Sequence, residues 1–306
     1  MRISTAQMQS KALNAMLDRQ TELSYTQEQV ATGKRILSPK DDVLGTTQAL
    51  TLQQQIDTHQ QYQENADRAE ERLITEETAL NQVVTVLQRA QELAVQSSNS
   101  TLTASSRAGL AQEVRQQIDQ VLGQANSKDN NGDYLFAGHN IGTAPFVAVE
   151  NPPGSGRYDY NYTGDLGQRN LQIGATRQIP VGDPGSDVFN NVPLSGGGSQ
   201  DLIKTLEQFA VDLESNTVNP ATADDFKTAI DHMGQYLAKV GARLNAIDND
   251  RNFNADVVLQ GQKTLSDIQD LDLAEAISRM NLQLTGLQAA QQSFSRIQNL
   301  SLFNYI

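Results

Sequence analysis

Apolar residues recur with helical spacing along most of this chain. Phe226, Ile230, Met233, Leu237, Val240, Leu244 and Ile247 step alternately by four and three, a sustained heptad seam. Leu273, Ile277, Met280, Leu284, Leu287 and Phe294 form a second, with Gln291 at one position where an apolar residue is expected. In that seam Leu284 reads as a core position between Met280 and Leu287. Leu73, Leu80, Leu87 and Ala94, joined by Val84, make a third, and Leu110, Val114, Ile118, Val121, Leu122 and Ala125 a broader amphipathic stripe. Near the start Met16, Leu23, Val30 and Leu37 recur every seven residues among mostly polar companions. A seam that thin is marginal in water on its own. It needs a partner, either the C-terminal arm or another subunit.

Between residues 139 and 199 the period changes. "RYDYNYTG" places Tyr158, Tyr160 and Tyr162 on one face of an extended segment, and "RNLQIG" and "TRQIPVGD" read as further short strands. Six of the eight prolines and eleven of the 21 glycines fall in this interval, while the flanks hold only Pro39 and Pro220. The composition shift marks a small β module between helical arms. Loop-rich modules lie on surfaces, so this one is expected to face outward and to be replaceable by a short linker.

"TGKRILSPKDD", residues 32–42, interrupts the first helical pattern. Gly33 fits a helix stop, since glycine accepts the left-handed conformation just past a helix end. Ser38 followed by Pro39 fits a helix start, with serine as cap and proline at the first helical position. Asp41 and Asp42 would then fall in the first turn, where carboxylates favour the helix dipole. The stretch reads as a joint between two helices rather than a catalytic loop.

Bulk composition narrows the function classes. The formal net charge is −13 and the pI near 4.6, against a nucleic-acid or anionic-membrane partner. Only 38% of residues are hydrophobic, no run approaches a membrane span, and the first twenty residues lack a signal-peptide core. There is no cysteine, hence no disulfide. His59, His139 and His232 have no ligand spacing among them. "DNDRNF" from Asp248 and "DNNGDY" from Asp129 begin like calcium loops but lack the required glycine and closing glutamate. No GxSxG or GxxxxGK[ST] motif occurs. The expectation is a protein with no catalytic residue, cofactor, metal or small-molecule substrate.

The joint at 32–42, and the placement of heptad-bearing termini around an insert, resemble bacterial flagellins and their relatives. Within that superfamily four stretches are closer to the hook–filament junction proteins, the third hook-associated proteins. These are "MRISTAQ" at the start, "GDYLFAGHN" from Gly132, "YNYTGDLGQRNLQIG" from Tyr160 with "VGDPGSDVF" at 181–189, and "NLSLFNYI" at the end. Val43 departs from the pattern, since many relatives place proline there.

The resemblance implies a mainly α (α+β) fold: a long antiparallel coiled-coil or helical bundle formed by both termini, with a small inserted β-rich domain. The expected divisions are 1–45, an N-terminal polymerisation helix and joint; 46–138 and 200–265, two parts of a helical rod; 139–199, the outer insert; and 266–306, a C-terminal polymerisation helix. It implies a non-enzymatic layer between hook and filament, with a filament-forming flagellin proper as the alternative. Its partners would be the hook-side junction protein (the first hook-associated protein), flagellin, further copies of itself in a ring-like layer, and an export chaperone. It would be secreted by type III export to the extracellular hook–filament junction. The implied assembly interface is Met16, Leu23, Val30, Leu37, Leu273, Ile277, Met280, Leu284, Leu287 and Phe294. The bland alternative for these residues is an intramolecular core, and the two overlap if the terminal helices pair first.

Overall fold

The computed structural model describes residues 5–153 and 157–299. The stretches at 1–4 and 300–306, on which part of the resemblance rests, lie outside the described residues. Among the described residues six helices carry the fold: α1 (Thr5–Thr32), α2 (Val43–Ser97), α3 (Ala104–Ala125), α4 (Leu202–Glu214), α5 (Thr222–Gln269) and α6 (Leu273–Asn299). Between α3 and α4 lie three antiparallel two-stranded sheets. They pair β1 (Phe146–Glu150) with β2 (Tyr158–Tyr162), β3 (Asn170–Gln172) with β4 (Gln178–Pro180), and β5 (Val192–Pro193) with β6 (Ser199–Gln200).

The chain forms two compact units, residues 1–58 with 256–306, and residues 59–255. Both divisions fall inside a helix, one in α2 and one in α5. In the first unit α1 and α6 are the principal packed pair. They run antiparallel, because the end of α1 meets the start of α6: the Leu271 N–H donates to the Gly33 carbonyl at 2.9 Å.

The second unit holds the large core. Leu73, Leu80, Leu87 and Ala94 of α2 are buried there with Val114, Ile118 and Val121 of α3 and Phe226, Met233, Val240 and Ile247 of α5. These are the predicted heptad and stripe positions, and their burial supplies most of the stability that helices of this polarity lack alone. Helix starts are capped by side-chain oxygens: Thr103 accepts the Ser106 N–H, and Asp201 the Lys204 N–H.

The β segment corrects one expectation. Far from being a detachable outer module, it contributes Phe146, Ile173, Ile179, Val181, Val188, Phe189 and Val192 to the same core. Phe189 lies on a single π-helical turn, Ser186–Asn190. Its ring meets Phe136 edge-on at 5.0 Å between centroids and Phe146 at 5.5 Å. Composition marked where turns concentrate, but residues outside the strands, Ile173, Val181, Val188 and Phe189, also turn inward.

Candidate assembly interface

The break between α1 and α2 is built from a few polar side chains. α1 ends at Thr32, and Gly33 takes a φ of +68°. Ser38 and Pro39 do not start α2, which corrects the sequence expectation. Residues 38–41 form a turn, closed by the Asp41 N–H on the Ser38 carbonyl at 3.0 Å, with Pro39 in its second position. The cap of α2 is Asp42, four residues later. Its Oδ1 accepts the Gly45 N–H at 2.8 Å and its carbonyl the Thr46 N–H at 2.9 Å. Val43 is therefore the first helical residue. Ser38-Pro39 and Asp42-Val43 each satisfy a start rule, and the second prevails because Asp41 is used inside the turn.

Asp41 Oδ2 gathers the Ser38 N–H at 2.8 Å, the Leu37 N–H at 3.2 Å and the Ser38 hydroxyl at 3.0 Å. Partial desolvation disfavours its charge, but these donors and the Tyr25 hydroxyl outweigh it and hold Asp41 below the usual carboxylate range. Asp42 is lowered too, first by the Gly45 N–H and, against some desolvation, by Arg35. Leu37 lies in this loop and does not extend the helical seam of α1.

The second break lies beside the first. The Arg35 N–H donates to the Gln269 carbonyl at 2.7 Å, its guanidinium to the Ile268 carbonyl at 2.8 Å, and Gln29 Nε2 to the Arg35 carbonyl at 2.7 Å. Lys34 and Asp270 form an antiparallel bridge. Asp272 then starts α6, with Oδ1 accepting the Ala274 and Glu275 N–H groups. Gly45 completes the joint: a Cβ there would lie 2.5 Å from Asp42 Oδ2 and 2.8 Å from Ile36 Cδ1. Arg35 and Gly45 escaped the sequence reading because their partners are distant in sequence or visible only in backbone geometry; Asp272 is a local cap, a helix-start signal the sequence carried.

Along the terminal pair the structure divides the predicted interface. Leu23 is buried, and Met16, Val30, Met280, Leu287 and Phe294 are half-buried. Leu273, Ile277 and Leu284 stand out at 50%, 44% and 43% exposure. The covered line on α6 is Ala276, Met280, Gln283, Leu287, Ala290 and Phe294, a heptad register that shares only three residues with the predicted one. In this register the small Ala276 is fully buried and the larger Leu284 stands outward. On α1 the exposed Leu13 (41%) and Leu17 (49%), one turn apart, were missed because the seven-residue repeat of Met16, Leu23 and Val30 masks them. The first unit thus carries an inner seam and an uncovered set of apolar side chains. Exposed apolar side chains mark a contact surface where they form a contiguous patch.

Among the described residues no three His, Asp or Glu side chains gather in metal-binding geometry, and no helix is long and apolar enough to cross a membrane. His59 shares its Nδ1 with Asn254 Oδ1 at 2.7 Å, and His232 its Nε2 with the Asp187 carbonyl at 3.1 Å. His139 lies beside Asp165.

Comparison with known proteins matches residues 3–141 to the bacterial flagellin N-terminal helical region and residues 223–306 to the bacterial flagellin C-terminal helical region. Flagellar hook-associated protein 3 of Escherichia coli (strain K12) is 30% identical over 322 aligned positions, covering 99% of both chains. Flagellar hook-associated protein 3 of Salmonella typhimurium (strain LT2) aligns with the same identity and coverage. The crystal structure of flagellar hook associated protein-3 from Legionella pneumophila superposes with a TM-score of 0.65 at 19% identity, over 71% of this chain and 98% of that one.

Proposed function

Because this chain belongs to the flagellar hook-associated protein 3 family, we propose that it builds the layer joining the flagellar hook to the filament, on which flagellin assembles. The observation that carries this reading is the extent of the match. The two flagellin helical regions end at 141 and resume at 223. The hook-associated relatives align through the middle segment as well, over 99% of their own length. The full-length match at 30% identity separates this reading from the alternative of a filament-forming flagellin.

In this reading the protein is a structural part of the flagellum and works by contact, without catalysis. It is secreted and sits outside the cell. Its neighbours are the hook-side junction protein, flagellin and further copies of itself, with a chaperone holding the terminal arm before export. Residues 1–45 and 266–306 act as polymerisation arms and residues 46–138 and 200–265 as the rod, with 139–199 packed into the rod's core. Gly33, Ser38, Pro39, Asp41 and Asp42 fix the angle between arm and rod. Met16, Leu23, Val30, Met280, Leu287 and Phe294 hold the two arms together, and Leu273, Ile277 and Leu284 meet neighbouring subunits. Leu37, in the loop of the joint, contributes to the same contact. Uncovered apolar side chains on a paired helical arm support this division, since their burial in an assembly is favourable by roughly 25 cal/mol per Å².

The test is location. Gold-labelled antibody on isolated hook–filament preparations is expected to mark a single band at the hook's outer end. Label along the whole filament would assign the chain to the flagellins instead.

A further inference from the structure

Glu76, on α2 in the second unit, is 1% exposed. Its Oε1 accepts the Asp183 N–H at 3.1 Å, and no protein donor reaches its Oε2. The terminal guanidinium nitrogens around it are already committed, and Arg72 Nε, one turn before Glu76, has no acceptor. Arg243 of α5 gives both terminal nitrogens to Asp183, at 2.9 and 2.8 Å, and Gln168 adds a third donor to that carboxylate at 2.9 Å. Arg72 of α2 is paired with Asp129 at 2.5 Å and donates to the Tyr134 and Leu135 carbonyls. Arg169 pairs with Asp133. Each arginine has its own carboxylate, and Glu76 is the acid left over. A buried carboxylate without a counter-ion is costly enough that it takes up a proton instead.

We propose that Glu76 is a proton-operated clasp: as a neutral acid it seats the Gly182–Asp183–Pro184 turn against α2, and on losing its proton to solvent it releases that turn. Asp183 is the negative charge that ionised Glu76 would face from the turn; Arg243 faces it from α5 and Arg72 from its own helix. Burial first, then the Asp183 charge, raise Glu76 to about 8 against the pull of Arg243, the Asp183 N–H and Arg72. Tyr236, beside Asp183 and Arg243, titrates far above this range, at about 12.

The sign follows from linkage. The seated state holds the proton, whereas an exposed glutamate ionises near its ordinary value of about 4.3. Opening of the turn therefore gains about tenfold per pH unit between those values and is constant above the upper one. Hydrogen–deuterium exchange of the full chain, read on the segment 181–189 and corrected for intrinsic amide chemistry, measures this opening. Protection is expected to fall with that slope and to level off near pH 8, as the Glu76 value implies. Glu76→Gln keeps the shape but cannot ionise, and should give a flat profile. Asp183→Asn leaves Arg243 without its carboxylate and so available to Glu76, and should bring the levelling-off of the fall to lower pH. A flat wild-type profile, an unchanged slope in Glu76→Gln, or an unmoved levelling-off in Asp183→Asn overturns the clasp.

Discussion

Arg35 and Asp42 lie 3.2 Å apart across the break between α1 and α2, and the same guanidinium reaches the end of α5. One side chain thus links the cap of α2 to the helix that leads into α6. An exposed ion pair contributes little by its Coulomb energy, so the importance of Arg35 is geometric. Arg35→Ala is expected to leave global unfolding nearly unchanged. It should raise hydrogen exchange selectively at residues 33–42 and 268–272, and equal exchange there in both proteins would remove Arg35 from the joint.

Gly45 tests the packing of the same joint. A methyl group at this position would press on Asp42 and Ile36. Overpacking of this kind costs about 1–3 kcal/mol, and Gly45→Ala should lower the urea midpoint accordingly. Wild-type stability would show that the joint has room to relax.

The inner seam and the outer face of α6 should respond differently to the same change. Leu287→Asp puts a carboxylate between α1 and α6, so circular dichroism of the free chain should show lost helicity. Leu284→Asp alters a side chain that is 43% exposed and should leave the free chain unchanged. In cells it should still give exported protein, with hooks that lack filaments. Normal filaments carrying Leu284→Asp at the junction would remove this face from the assembly.

Asp183 is almost fully buried against Arg243. Removing one partner of such a pair strands the other charge, at a cost of about 3–5 kcal/mol. Arg243→Ala is expected to lose that much in denaturant unfolding of the whole chain. A loss below about 1 kcal/mol would mean that water reaches Asp183 freely.

Alkaline pH offers a separate handle. Tyr160 is raised to about 12, by burial first and then by Glu207 and Asp119. A folded-state value above the unfolded one means that its contribution is complete below pH ~10 and is lost as pH rises from there to the folded value. Tyr160→Phe should flatten the stability profile over that interval, and an unaltered slope would place the loss elsewhere, Tyr236 being the next candidate.

The β segment gives a further test. Replacing residues 139–199 by a Gly/Ser linker would strip Phe146, Ile173, Val181, Val188 and Phe189 from the core. Each fully buried side chain of this size contributes about 1.5–3 kcal/mol, so the shortened chain should lose cooperative unfolding of residues 59–255. A sharp transition at the wild-type midpoint would return the segment to the status of a detachable module.

The helices were legible from the sequence because their burial depends on local periodicity. Leu73, Leu80 and Leu87, or Phe226, Met233 and Val240, fall on one face wherever the partner comes from. The break at Gly33 was legible for the same reason. What escaped depends on distant partners. Ala276 looks like filler until the fold buries it, and only then is the register that exposes Leu284 decided. Asp42 competes with Ser38 as a cap, and the outcome rests on which hydrogen bonds Asp41 has already taken. Phe189 sits in a Gly- and Pro-rich stretch that reads as surface, yet its ring joins the core through Phe136 and Phe146.

The bridge between residues 33–35 and 268–271 also bears on the order of folding. α1 and α6 are separated by all of residues 33–272, and closing so long a loop from an unfolded chain carries a large entropic penalty. Once residues 59–255 have folded, α2 and α5 shorten the effective loop to little more than the two breaks. The two ends of the chain should therefore pair last, after the rest of the molecule has committed to its structure. Mutations in the terminal arms are then expected to change how fast they separate far more than how fast the main body forms.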